Sequence, residues 1–279
     1  MNYRHIYHAG NFADVFKHAV LSMLVERFKR KDKAFCVLDT HAGIGWYNLD
    51  SVEAAKTAEA DRGIRSVVER GDWPPALWAY KEIIDRGRAS DGYLQHYPGS
   101  PALILALMRS QDRLVAVERH SADHATLRRI VGGDPRAAVH LRDGYEAVRG
   151  LLPPTIRRGL VLIDPPYERT DEDAAAARAV VEAATRWPTG QVALWYPIKA
   201  VGLRHRLVGE LRANGLDNGL VVELEVSSPR YDNRLVGSGM LVVRPPFGFA
   251  DDVAAVLQWL LVALGEGAGR HTVMPISQE

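Results

Sequence analysis

Short, mostly apolar runs recur along this chain, and each stops at a polar residue, an acid or a proline. Ala34–Leu38 runs into Asp39, Leu114–Val117 into Glu118, Ala137–Leu141 into Arg142-Asp143-Gly144, and Leu160–Ile163 into Asp164. Val192–Tyr196 stops at Pro197, and Leu220–Val226 and Met240–Val243 complete the series. Runs of this kind read as strands covered on both faces. Helical stretches separate them. Phe12, Val15, Phe16, Ala19, Val20, Met23, Leu24 and Phe28 fall at helical spacing, which predicts an amphipathic helix over 12–30 with Asn11 as its N-cap. Ser100-Pro101 predicts a further helix over 102–109, with Ser100 at the cap and Pro101 in the first turn.

Residues 50–97 break the rhythm. Alanine, glutamate, lysine and arginine dominate there, Trp73-Pro74-Pro75 interrupts, and no buried strand is visible. The pattern predicts a mostly helical insertion. The chain is therefore expected to be an α/β, Rossmann-like protein: a mostly parallel, seven-stranded sheet with helices on both faces. Residues 1–49 and 98–279 would form its discontinuous core and 50–97 an inserted subdomain. After the last strand only a helix (253–264) and a tail (270–279), expected to be weakly ordered or extended, remain.

The 279 residues are 47% hydrophobic and 25% charged, an ordinary soluble composition with ample material for a core. No apolar stretch is long enough for a membrane span, and the N-terminus has no apolar signal segment. The single Cys36 falls in a strand and reads as a small core residue. A cytoplasmic, monomeric protein is the expectation. The net charge of +1 excludes a globally basic nucleic-acid binder, so a polyanion would need a local patch. The candidates are Lys29-Arg30-Lys31 with Lys33, Arg157-Arg158, and Arg230 with Arg234.

In open parallel sheets ligands bind at the carboxyl ends of the strands. Those ends carry Asp39, Glu118, Asp143 and Asp164, acids suited to hydroxyls, amines and positive charge. Gly43-Ile44-Gly45 lets the backbone approach a ligand closely, but Asn48 stands where a dinucleotide fingerprint needs a third glycine. Glu118 is placed to accept ribose hydroxyls and Asp143-Gly144 to meet an adenine edge. Asp164-Pro165-Pro166-Tyr167 is the most telling segment. An acid, two prolines of fixed φ and an aromatic at a strand mouth make a rigid clamp for a planar amine. The looser form of this pattern arises by chance in about one chain in a hundred of this length. The histidines have no metal-ligand spacing with cysteines, so no metal is expected.

This order of parts resembles the class I S-adenosylmethionine-dependent methyltransferases that modify amino groups. More narrowly, the chain resembles the bacterial ribosomal RNA adenine-N6 methyltransferase family RlmJ. The resemblance rests on Tyr3-Arg4-His5, His8-Ala9-Gly10-Asn11, Asp14, Lys17-His18, Leu38–Gly43, Tyr97–Pro101, Leu162–Tyr167, Leu194–Pro197 and Ser238–Met240. It implies that His18, His41, Ser100, Glu118, Asp143, Gly144 and Asp164 contact S-adenosylmethionine, with Lys17 a partner for the methionine carboxylate. It also implies that Tyr3 meets the RNA. The arm bearing Tyr3, Arg4 and His5, together with the insertion, is the expected RNA surface.

The expected reaction is methyl transfer to N6 of a specific adenine in 23S ribosomal RNA, before or early in ribosome assembly, with S-adenosylhomocysteine as product. Asp164 and the Pro165 carbonyl would grip the amino group and Tyr167 would stack on the base. A DNA adenine-N6 methyltransferase is the alternative, disfavoured because little chain remains for a target-reading domain. A nicotinamide oxidoreductase and a non-catalytic RNA-binding protein fit less well. The first lacks its third glycine, and the second leaves the acids and Tyr167 unexplained.

Overall fold

The structure, a computed structural model, describes residues 4–199, 202–227, 235–265, 267 and 269–278. Tyr3, Arg230 and Arg234 lie outside the described residues. In chain order the strands are β1 (Cys36–Asp39), β2 (Trp46–Asn48), β3 (His96–Pro98), β4 (Arg113–Glu118), β5 (Ala137–Leu141), β6 (Gly159–Ile163), β7 (Gln191–Ile198), β8 (Gly219–Glu225), β9 (Gly237–Val243) and β10 (Arg270–Pro275). The α-helices are α1 (Phe12–Lys29), α2 (Val52–Thr57), α3 (Ile64–Val68), α4 (Trp78–Asp85), α5 (Ser100–Leu107), α6 (Ser121–Val131), α7 (Gly144–Leu151), α8 (Glu172–Arg186), α9 (Leu203–Ala213) and α10 (Phe249–Leu264).

Eight strands form one sheet in the order β10-β8-β9-β7-β6-β1-β4-β5. β7, β6, β1, β4 and β5 run parallel, and β9, β8 and β10 join antiparallel. Alternation along the strands divides the core. Val37, Leu114, Leu160 and Leu162 face α1, α5 and α10, whereas Leu38, Val161, Ile163 and Leu194 face α7, α8 and α9. Cys36 is a buried free thiol within this core. No described helix is long and apolar enough to cross a membrane.

The sheet therefore has eight strands rather than seven. The tail supplies the extra one: Val273 and Met274 of β10 register against Val222 and Val221. An edge strand needs only one partner and a half-covered face, so its sequence carries little apolar signal. Pro275 is tolerated there because an edge position has no second ladder to break. Beyond it Ile276 is fully buried, in the space that a side chain on Gly219 would fill. A second sheet, antiparallel β2 and β3, joins the loop after Gly45 to the end of the insertion.

Two further details differ from expectation. Helix α1 is buried nearly all round rather than amphipathic, because the sheet, α5, α10 and the inserted helices enclose it. Asn11 does cap it, accepting from the Asp14 amide at 2.9 Å. Ser100 does not cap α5. Gly99 holds that position, and the Ser100 hydroxyl instead donates to Asp39 Oδ2 at 2.7 Å. Residues from the inserted segment, among them Ile64, Leu77, Tyr80 and Ile84, share one core with α1 and α10.

Candidate active site

A cavity of about 380 Å³ opens at the carboxyl ends of β1, β4, β5, β6 and β7. That is within the size range of small-molecule sites, about 300–1,000 Å³. His18, His41, Ser100, Glu118, Asp143, Gly144, Asp164, Pro165, Tyr167 and Lys17 all line it, so the fold gathers these sequence candidates around one space. Arg4 stands apart from this lining. It is exposed and lies 3.6 Å from Asp123 at the mouth.

The loop after β6 is the most constrained part. Tyr167 takes φ +50°, in the left-handed region that costs a non-glycine residue about 1–2 kcal/mol. Its hydroxyl holds it there, donating to the Trp195 carbonyl at 3.1 Å while the two rings meet edge-on at 5.8 Å. Trp195 is itself fixed through its indole N–H to Ser238 Oγ at 2.7 Å. The result is a clamp with an aromatic side wall, built from β6, β7 and β9.

Asp164 is held from the other side. Lys17 Nζ donates to Asp164 Oδ2 at 2.6 Å and lies 2.9 Å from Asp14 Oδ1. Asp14 in turn accepts from His5 Nε2 at 2.8 Å and from the Gly10 amide at 3.0 Å. Burial alone would depress the Lys17 pKa, but the two carboxylates more than offset it and hold the value above that of an ordinary lysine. The N-terminal turn, α1 and the clamp are thus one ionic chain. Lys17 already faces two carboxylates, which bears on its expected role toward the methionine carboxylate. Asp14 had only a place in a motif; its i,i+3 spacing from Lys17 on a helix was the available signal.

The remaining acids are engaged but not exhausted. Glu118 accepts from the Gly43 amide at 2.9 Å and the His120 amide at 2.7 Å, one bond per oxygen. Burial raises its pKa against those bonds. A carboxylate has about four acceptor sites, so hydroxyls can still be received. Asp143 is the N-cap of α7, accepting from Tyr145 and Glu146 amides, and Arg119 reaches its other oxygen. Asp39 is fully buried; one oxygen takes the Ser100 bond and the other has no hydrogen-bond partner among the described residues. Burial pushes its carboxyl up to about 7.

Close approach explains two glycines. A side chain on Gly144 would meet the Thr40 carbonyl at 2.4 Å and the His41 ring at 2.8 Å, so only glycine lets His41 and α7 close this wall. Gly43, at φ +62°, faces the Tyr47 hydroxyl in the same way. Behind the wall the Tyr145 hydroxyl donates to buried Glu172 at 2.5 Å, joining α7 to the start of α8.

The donor set suits a sulfonium-bearing adenosine. There are acids for hydroxyls, and a buried imidazole nitrogen, His18 Nε2, that has no hydrogen-bond partner among the described residues. Two of the basic clusters lie elsewhere. Arg158 donates to the Lys33 carbonyl at 2.7 Å and Arg113 follows the same loop, which puts Lys29–Lys33 and Arg157-Arg158 together at the amino ends of the strands.

Comparison with known proteins points the same way. The family model described as RsmJ, "Ribosomal RNA large subunit methyltransferase D, RlmJ", matches residues 32–276. Two curated proteins, both named ribosomal RNA large subunit methyltransferase J, align over the whole of this chain and the whole of their own. The one from Escherichia coli is 42% identical and the one from Haemophilus influenzae 38%. A crystal structure of a Legionella pneumophila protein superposes with a TM-score of 0.88 at 31% identity, covering 96% of this chain and 98% of that one. On its fold, its clamp and this full-length similarity, the chain belongs to the RlmJ family of ribosomal RNA large subunit methyltransferases.

Proposed function

We propose that this protein transfers the methyl group of S-adenosylmethionine to N6 of a specific adenine in 23S ribosomal RNA, releasing S-adenosylhomocysteine. The observation that carries the reading is the clamp: Asp164, Pro165 and Tyr167 at the mouth of β6, with Lys17 fixing one oxygen of Asp164. S-adenosylmethionine, when bound, supplies a methyl group made electrophilic by its sulfonium. The acceptor is the harder partner, because the N6 lone pair is delocalised into the ring.

The residues therefore position and polarise. Lys17 holds Asp164 Oδ2, which leaves Oδ1 to accept one N6 hydrogen; the Pro165 carbonyl accepts the other. This pulls the nitrogen toward tetrahedral geometry. The Tyr167 face stacks on the base, worth about 1–3 kcal/mol against the cost of extrusion. Trp195, edge-on to Tyr167, limits how far the base slides. After transfer the nitrogen is acidic, and Asp164 or water takes its proton. Glu118 and Asp143 receive the adenosine of the cofactor, and Gly144 gives it room. The donor is already activated, so the reaction needs no metal.

The arm with Tyr3 and Arg4 and the inserted subdomain 50–97 form the RNA surface in this reading. An RNA loop offers an easily splayed base, which suits an enzyme without a large wedge and favours RNA free of assembled ribosomal protein. The enzyme works as a cytoplasmic monomer. The test is incorporation of labelled methyl groups into protein-free large-subunit RNA, assembled particles and duplex DNA, followed by mapping of the modified base. Label at one RNA adenine is expected. Label in DNA alone, or in no adenine, would refute the reading.

A further inference from the structure

His18 and His41 line the same cavity, and each has one ring nitrogen committed to a buried hydroxyl. Those hydroxyls differ in what they can offer. Thr40 Oγ1 lies 2.9 Å from the Leu162 carbonyl and 2.8 Å from His41 Nδ1. A carbonyl only accepts, so the single Thr40 hydrogen goes to Leu162. The Thr40 oxygen must then accept from His41 Nδ1–H. His41, whose pKa burial lowers, is neutral, and its Nε2 is left as a bare acceptor. That nitrogen lies beside Gly144, at the β5 end of the cavity.

His18 is ordered the opposite way. Its Nδ1 is 2.8 Å from the Tyr97 hydroxyl, which is 2.7 Å from the Tyr80 hydroxyl. All three groups are buried, and the Tyr80 oxygen has no other hydrogen-bond partner among the described residues. If Tyr80 donates to Tyr97 and Tyr97 donates to His18 Nδ1, every hydroxyl hydrogen is used. If the row ran the other way, the Tyr80 hydrogen would be buried without an acceptor, at a cost of about 1–3 kcal/mol. The favoured row makes Nδ1 the acceptor and Nε2–H a donor. Burial and the nearby Lys17 charge lower the His18 pKa to about 3, so the ring stays neutral and the tautomer is defined. Nε2 is the buried nitrogen that has no hydrogen-bond partner among the described residues.

We propose that buried hydroxyls lock the two histidines of this cavity in opposite tautomers, and that Tyr80 and Tyr97 are positioning residues through which His18 donates Nε2–H to the carboxylate of the cofactor. The inference rests on the cofactor assignment above. The sheet order decides which end is which. Asp143 and Glu118 at β5 and β4 suit adenosine, and His41 adds an acceptor for one of its N–H or O–H groups. Ser100, bonded to Asp39 at the end of β1, and His18 line the remaining wall, where the methionine end would lie. Lys17 gives two of its three N–H groups to Asp14 and Asp164, and His18 adds a neutral donor for the carboxylate. Tyr80, which does not line the cavity, also gives the inserted segment a part in ordering it.

Titration calorimetry on the full chain tests this, with S-adenosylhomocysteine and with 5′-methylthioadenosine, which lacks the amino-acid end. Tyr97→Phe is expected to weaken S-adenosylhomocysteine by about tenfold and to leave 5′-methylthioadenosine unchanged, whereas Tyr80→Phe, which leaves the Tyr97 hydrogen directed at His18, is expected to cost less. Thr40→Val is expected to weaken both, since both carry adenosine. Equal losses in Tyr97→Phe, or none, would overturn the positioning role. Nitrogen-15 NMR of the wild-type histidines is the second readout and needs no variant: His18 should be protonated at Nε2 and His41 at Nδ1. The reverse at either ring would overturn the tautomer assignment. A wild-type chain that binds neither ligand, with both tautomers as assigned, would instead count against the cofactor reading.

Discussion

The two ends of the sheet use charge in opposite ways. At the amino ends, Arg109 and Arg158 direct their guanidinium groups at backbone carbonyls of residues 28–33, and Arg109 also pairs with buried Asp112. Their donors are consumed in closing the turn between α1 and β1. At the carboxyl ends, Asp14, Lys17 and Asp164 bind one another, yet Asp164 and Glu118 keep acceptor capacity, and Asp39 Oδ1 and His18 Nε2 have no hydrogen-bond partner among the described residues. A buried polar atom left unsatisfied is costly. Spare acceptors and the His18 imidazole around one cavity mark the end that awaits a ligand, whereas a basic cluster with its donors committed marks structure.

The sharpest way to break that contrast is Asp164→Asn. It should cut methyl transfer by about 10²–10³-fold or more while S-adenosylhomocysteine still binds; near-normal turnover would refute the clamp. Asp164→Ala is a poorer probe, because it also strands buried Lys17. Next, Lys17→Met leaves Asp14 and Asp164 facing each other without their cation. A loss of about 3–5 kcal/mol in urea unfolding is expected, as for one broken partner of a buried ion pair.

Tyr167→Ala should reduce activity by about tenfold to a hundredfold through lost stacking. Tyr167→Phe should cost less, but not nothing, because the hydroxyl also anchors the loop to Trp195. Identical losses would locate the effect in the anchor rather than the ring face. At the opposite end, Arg158→Ala should lower stability by about 1–2 kcal/mol through its lost carbonyl contacts and leave S-adenosylhomocysteine affinity alone. A change in affinity there would erase the distinction between the two ends.

The smallest effect is in pH. His18 holds a proton in the unfolded chain below about 6.5, but in the folded chain only near 3. Its contribution to stability is therefore complete above about 6.5 and is lost as the pH falls toward 3. His18→Asn should make unfolding less sensitive to acid across that window. Urea midpoints at several pH values would show the shallower slope, and parallel profiles would contradict a buried, neutral His18.

Much of this was legible along the chain. The buried strands announced themselves because a parallel sheet covered on both faces needs unbroken apolar runs, and Asn11 announced α1 because capping is local. The Asp164–Tyr167 segment was readable because two consecutive prolines restrict its backbone locally, although Trp195 and Lys17 complete its geometry. Features that depend on a distant partner were not. The weakly apolar tail becomes β10 only because β8 offers an edge. Ser100 looks like a cap until Asp39 appears beneath it, and Lys17 looks free until β6 brings Asp164 to α1.

The sequence by itself determined the order of strands and helices, the acids at the strand ends and the rigid clamp, since local propensity and spacing suffice for these. Tertiary structure alone decided which hydroxyl each histidine meets, which carboxylates share Lys17 and which polar groups gather around the cavity. Those outcomes turn on a hydrogen bond's reach of about 3 Å between residues far apart in the chain, and only packing sets that distance.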